Sequence, residues 1–230
     1  MKIKNPWLVG LTVTAILAYS ACTSAPEKTL LDKYFHAVSM KDNQTMAAMA
    51  VEPLAIDSLE YKIISITPEN VEPAILPELN KREAEAKKKV DDHVGPVVDA
   101  QDALETAKAD LDNARTAAAR AALKKKVAEL QAKYDQEYND HVELKRQYNE
   151  AKEVATKEEQ ITLFSLGTRT LPNVRSFQGD VHSKEVVINV KTRAGAERNY
   201  KVILRRYLMK DETGKPWNGR WIIVRFESVS

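Results

Sequence analysis

Between Pro96 and Gly167 the chain has neither glycine nor proline, and its residues are overwhelmingly Ala, Glu, Lys, Gln, Asp and Leu. Such side chains lose little freedom in a helix, so residues 78–160 predict one long helical segment. Its length limits the options. A single helix over the 64 residues 97–160 is about 96 Å long and needs a partner to stand in water. Strand-like sequence lies on both sides of the segment, and a hairpin returns the chain to where it left. We expect an antiparallel hairpin with a kink at Gly95-Pro96, a tip within residues 113–126 and arms projecting about 60 Å. The alternative is a rod paired with a second copy of the chain.

The apolar pattern supports pairing. Val90, Val94, Val97, Gln101, Leu104, Ala107, Leu111 and Ala114 recur at coiled-coil spacing and continue through Ala118 and Ala121. The returning arm offers Val127, Leu130, Tyr134, Tyr138, Leu144, Tyr148, Ala151 and Ala155, so small residues face large ones. Glu83/Lys87, Glu85/Lys89, Glu129/Lys133 and Glu153/Lys157 are spaced for ion pairs one helical turn apart. His93 and His141 stand on opposite arms and can approach, but they have no cysteine or acidic neighbours in a zinc-ligand spacing.

The start of the chain reads as an export signal. Lys2 and Lys4 precede an uncharged apolar run of 15 residues, 7–21, which is shorter than the roughly 20 residues a spanning helix needs. Cys22 is the one cysteine, so no internal disulfide is possible. The segment Leu17-Ala18-Tyr19-Ser20-Ala21-Cys22 resembles the lipobox of bacterial lipoproteins. That resemblance implies removal of residues 1–21 and lipid attachment at Cys22. Thr23, standing where an aspartate would signal retention at the inner membrane, implies the periplasmic face of the outer membrane. Acyl chains contribute about 0.8 kcal/mol per buried methylene, so a triacylated cysteine anchors firmly. Ala18-Tyr19-Ser20 also fits an ordinary cleavage site, which leaves a secreted or soluble periplasmic chain as the alternative.

Residues 22–28 form a short tether, and Thr29 to Asp32 read as a capping-box helix start. Leu31, Tyr34, Phe35 and Val38 share one face of that helix; Met46, Met49 and Leu54 extend it as core filler, and His36 lies at the surface or half-buried. Residues 61–67 read as a strand, and Pro73 and Pro77 break the chain before the hairpin. Residues 161–167 and 174–181 read as short strand-like runs, followed by longer strands at 185–191, 198–208 and 220–226. The fold class is therefore α+β. Residues 29–77 and 161–230 form a base in which an N-terminal helix packs on a C-terminal antiparallel meander, and residues 78–160 are an inserted helical hairpin.

Tyr34, Phe35, Ala37 and Asp42 in the helix, with Trp221 to Val224 in the last strand, resemble the ketosteroid-isomerase-like and nuclear-transport-factor-like superfamily of α+β cones. The resemblance implies a cone that could hold a ligand, with the hairpin standing where members have short helices and strands. The residues themselves supply no chemistry for it. There is no Ser/His/Asp set, no paired carboxylates on adjacent strands, no glycine-rich phosphate loop and no metal spacing, and His182 is the lone histidine of residues 161–230. No enzyme activity, cofactor or metal is expected.

Residues 161–230 carry 13 basic against 6 acidic side chains. Lys201, Arg205 and Arg206 are the candidate basic patch for anionic lipid headgroups, lipopolysaccharide or peptidoglycan carboxylates. Lys201 and Arg205 share a strand face while Arg206 points the other way, and ordinary solvated strand faces explain these charges equally well. Nucleic acid is not an expected partner for an exported chain. The expected function is a non-enzymatic envelope lipoprotein, held to the membrane by its N-terminal anchor and contacting another envelope protein through the hairpin. The alternative is a ligand-binding or enzymatic cone whose hairpin is a lid or an oligomerisation arm.

Overall fold

Val186, Ile188 and Val190 are buried and alternate with more exposed neighbours along one strand, and Tyr200, Val202 and Leu204 do the same along the next. The computed structural model, which describes residues 25–229 except Ala55, pairs these strands from Gln178 opposite Lys210 to Lys191 opposite Glu197. They are β3 (Gln178–Thr192) and β4 (Glu197–Lys210). Two strands, β1 (Ser58–Ile66) and β2 (Asn70–Pro73), share the outer edge of β3, and β5 (Pro216–Asn218) and β6 (Ile222–Val229) share that of β4. Every pairing among them is antiparallel, and the six strands make one sheet. The sequence pattern predicted the longer strands; β2 and β5 are too short to carry one. Cys22 and the rest of the export segment lie outside the described residues.

Helices cover both faces. On the first, α1 (Pro26–Met40) and α2 (Asn43–Met49) place Leu31, Tyr34, Phe35, Val38 and Met46 against Val186, Ile188, Val202, Leu204 and Ile223. Leu31 and Tyr34 are fully buried, and the Tyr34 hydroxyl accepts the Leu54 N–H at 2.7 Å. The first helix begins at Pro26, earlier than the expected capping box at Thr29, with no side-chain cap. Proline fits there because its fixed φ suits a first turn, which needs no N–H donor.

The second face is covered by the foot of the hairpin, formed by α3 (Leu76–Asp112) and α4 (Ala117–Leu166). Ile161 packs with Val174, Phe177, Tyr207, Met209, Ile222 and Val224. Residues 161–167, expected as a strand-like run, are the end of α4 and its cap. Ile161, Thr162 and Ser165 bury on the sheet, so tertiary contact overrides β-branched propensity, and Gly167 closes the helix at φ 73°.

The two hairpin helices have 37 and 50 residues, about 55 and 75 Å at the α-helical rise. The chain passes Gly95-Pro96 in one unbroken helix, and Pro77 sits in the first turn. The tip is the turn at residues 113–116, at the near end of the expected range. There the Asn113 amide donates to the Ala109 carbonyl at 2.9 Å, and the Thr116 hydroxyl accepts from the Ala119 N–H at 3.2 Å.

The seam differs from the expected one by single-residue shifts. On α3, His93 and Ala100 occupy the places assigned to Val94 and Gln101; on α4, Glu137 and His141 replace Tyr138. Val94 and Tyr138 are instead 48% and 49% exposed, and Ala118 and Ala121 already belong to the returning helix, exposed. The strict alternation of three- and four-residue steps, kept by every inward residue from Glu83 to Ala114, decides the placement over local hydrophobicity. The ion pairs also re-sort. Lys81–Glu85, Lys87–Asp91 and Lys125–Glu129 form, while Glu83 and Lys157 turn to Arg175 and Glu52. Exposed pairs differ by fractions of a kcal/mol, so spacing alone does not select among them.

Candidate functional site

The foot of the hairpin is braced by charge. Arg175, in the 3-10 turn Val174–Ser176, bonds Glu83 of α3 and Glu159 of α4 and donates to Thr156 at 3.2 Å. One guanidinium thus ties both arms to the loop entering β3. Beneath it, buried Glu158 accepts from the Tyr207 hydroxyl at 2.7 Å and from Arg205 at 3.3 Å. Burial, reinforced by the Glu158 charge, raises the Tyr207 pKa, so the phenol stays a donor. Ser165 completes the joint, donating to the Arg220 carbonyl at 2.8 Å and accepting the Tyr207 N–H at 3.1 Å.

Halfway up the hairpin the seam turns polar. His93 and His141 stack with ring centroids 6.0 Å apart, and His93 Nε2 lies 3.2 Å from Glu137. The Nδ1 atoms of both rings are buried and unpaired. No set of three or more ligand-type side chains able to hold a metal occurs among the described residues. At the same level, Val94 and Val98 of α3 and Tyr138 and Val142 of α4 are each about half exposed.

Lys201 and Arg205 share a sheet face and Arg206 takes the other. Each meets a carboxylate: Lys201 binds Glu227 at 2.8 Å, Arg205 binds Glu158, and Arg206 lies 3.6 Å from Glu69. Lys201 and Arg205 line a cleft of about 240 Å³ between the sheet and the hairpin foot, with Glu158, Ile203 and Arg225. On the α1 side, Lys184 and Arg206 flank the Trp221 ring at 5.5 and 5.2 Å, and Lys184 also reaches buried Glu27 at 3.2 Å. The hydrogen bond from His182, helped by the Lys184 and Arg206 charges, holds Glu69 below the usual carboxylate range.

The brace built on Arg175 and Glu158 escapes sequence reasoning, because its partners lie far apart in the chain and neither has a motif. His182 is held by Glu69. No family model, curated protein or solved structure matches the chain.

Proposed function

We propose that this protein is a non-enzymatic interaction module of the bacterial envelope, anchored through Cys22 and acting through its hairpin. The observation that carries the proposal is the hairpin itself, whose arms leave the sheet braced at the foot and present half-exposed Val94, Val98, Tyr138 and Val142 to the surroundings. A rigid arm with apolar side chains on its flank suits contact at a distance better than chemistry in a concave site. The core between α1 and the sheet is filled by aromatic and branched side chains, Phe35 stacking on Tyr61 at 4.4 Å, which favours the module over the ligand-binding cone.

The membrane half of the reading is tested by labelling cells with a fatty-acid analogue. The wild-type chain takes up label and partitions with membranes, and Cys22→Ser does neither. Label-free wild type would leave the chain unanchored. The hairpin half is tested by placing a photo-crosslinking residue at position 98 or 142 in cells: a discrete adduct is expected, and its absence at every exposed hairpin position would end the reading.

A further inference from the structure

From Val90 to Ala114 the inward residues of α3, taken on the alternating three- and four-residue steps, are apolar apart from His93. From Leu123 to Ala155 those of α4 are apolar or aromatic apart from Glu137 and His141. The three exceptions meet. His93 and His141 stack with their ring planes 19° apart and their centroids at 6.0 Å, and His93 Nε2 stands 3.2 Å from Glu137. They form one polar layer, with Val97 and Tyr134 next to it on the tip side and Val90 and Leu144 on the foot side.

One carboxylate serves two rings. Among the described residues, His141 has no acidic side chain within ion-pair distance, and the Nδ1 atoms of both rings are buried without a partner. Two neutral rings fit such a layer, because stacking needs no donor and Glu137 can accept from His93 Nε2. Two protonated rings do not. Each Nδ1 becomes a donor with nothing to receive it, and two positive charges stand about 6 Å apart. The charges beside the layer do not repair this. Lys89 and Asp92 on α3 and Asp140 and Lys145 on α4 are two of each sign, all exposed and screened by water, while Asp91 and Glu143 are engaged by Lys87 and Arg146. The nearby phenols of Tyr134 and Tyr138 are uncharged in acid. Imidazole is the side chain whose charge ordinarily changes between about pH 5 and 8.

We infer that the His93/Glu137/His141 layer is an acid-sensitive catch: it closes the hairpin seam near neutral pH and opens when both rings take up a proton, loosening the arm at mid-height while the sheet stays folded. The unfolded chain accepts the same protons in water without that penalty, so the hairpin loses stability as the pH falls. Val94, Tyr138 and Val142 directly follow the three polar residues, so opening the layer changes the apolar surface that the arm presents. The catch acts on the fold of the arm and holds whatever the arm contacts.

The test is amide hydrogen exchange of the full chain in mild detergent at about pH 7.5 and about pH 5, corrected for the intrinsic rate. Residues 90–100 and 134–144 are expected to exchange roughly 10- to 100-fold faster in acid, as repulsion between two half-screened charges at this spacing implies, while β3 and β4 keep their protection. His93→Leu with His141→Leu should abolish the acid response and leave the hairpin folded, since leucine suits a seam position. Two single changes separate the catch from a plain packing role. His141→Leu leaves His93 facing Glu137, so the rise in acid should vanish. Glu137→Gln removes the layer's carboxylate and should enlarge the rise. Equal exchange at both pH values in wild type, protection that increases in acid, a response that survives the double leucine change, or a Glu137→Gln response no larger than that of wild type overturns the inference.

Discussion

Tyr207 and Glu158 show how much one buried hydroxyl decides. Tyr207→Phe leaves the Glu158 carboxylate with Arg205 as its remaining partner at 3.3 Å, in a site only 7% exposed. We expect the variant to lose about 1–3 kcal/mol in denaturant unfolding, the cost of an under-satisfied buried acceptor. Gly219 is equally constrained. A Cβ there would stand 2.4 Å from Ser165 Oγ and 2.6 Å from the Tyr207 carbonyl. Ser165 cannot swing aside without giving up its bonds to Arg220 and Tyr207, so Gly219→Ala should cost about 2 kcal/mol or more, read as a lower melting temperature. Neither residue announced itself. In sequence Tyr207 is one aromatic in a strand, and its partner lies 49 positions away. The readings that held at this scale depended on neighbours close in sequence, as with Leu31, Tyr34, Phe35 and Val38 on one turn-to-turn stripe.

Elements were legible where period decides and illegible where the tertiary partner decides. The α+β class and the long strands follow from residue spacing, and the hairpin from the strand-like sequence on both sides of the helical segment. The seam slipped by a residue because Val94 and Tyr138 look more apolar than His93 and Glu137, yet the heptad rhythm holds the polar pair inward. The His141 Nδ1 is buried with no partner, so His141→Leu should raise hairpin stability by about 1 kcal/mol in thermal unfolding; a loss would reveal a partner the ring depends on. The β4–β5 turn carries a pH signature. Asp211 accepts from Thr213, from the Lys215 N–H at 3.0 Å and from the Trp217 indole at 3.1 Å, and these bonds, Thr213's foremost, lower its pKa from 3.8 to about 2. A depressed carboxylate contributes its full stability above 3.8 and loses it as pH falls toward about 2. The indole N–H resonance of Trp217 should therefore titrate with a midpoint near 2, and a midpoint near 3.8 would contradict the turn's bonding.

At the scale of the whole molecule, the sheet stands between two helical layers, with α1 on one face and the hairpin foot on the other. Arg175 governs the second. Arg175→Ala releases Glu83 and Glu159 together, and amide exchange in the first turns of α3 should rise several-fold while the α1 face keeps its protection. Equal exchange in both proteins would mean that the apolar foot alone holds the arm. The proportions of the hairpin then give the joint a mechanical character. Beyond Arg175 the arm extends about 57 Å along α4, while α4 grips the sheet over about 17 Å between Ala155 and Leu166. A sideways pull at the tip therefore reaches the foot multiplied more than two-fold. Glu158, Tyr207 and Arg175 sit at the fulcrum, where a lever of this shape concentrates its load.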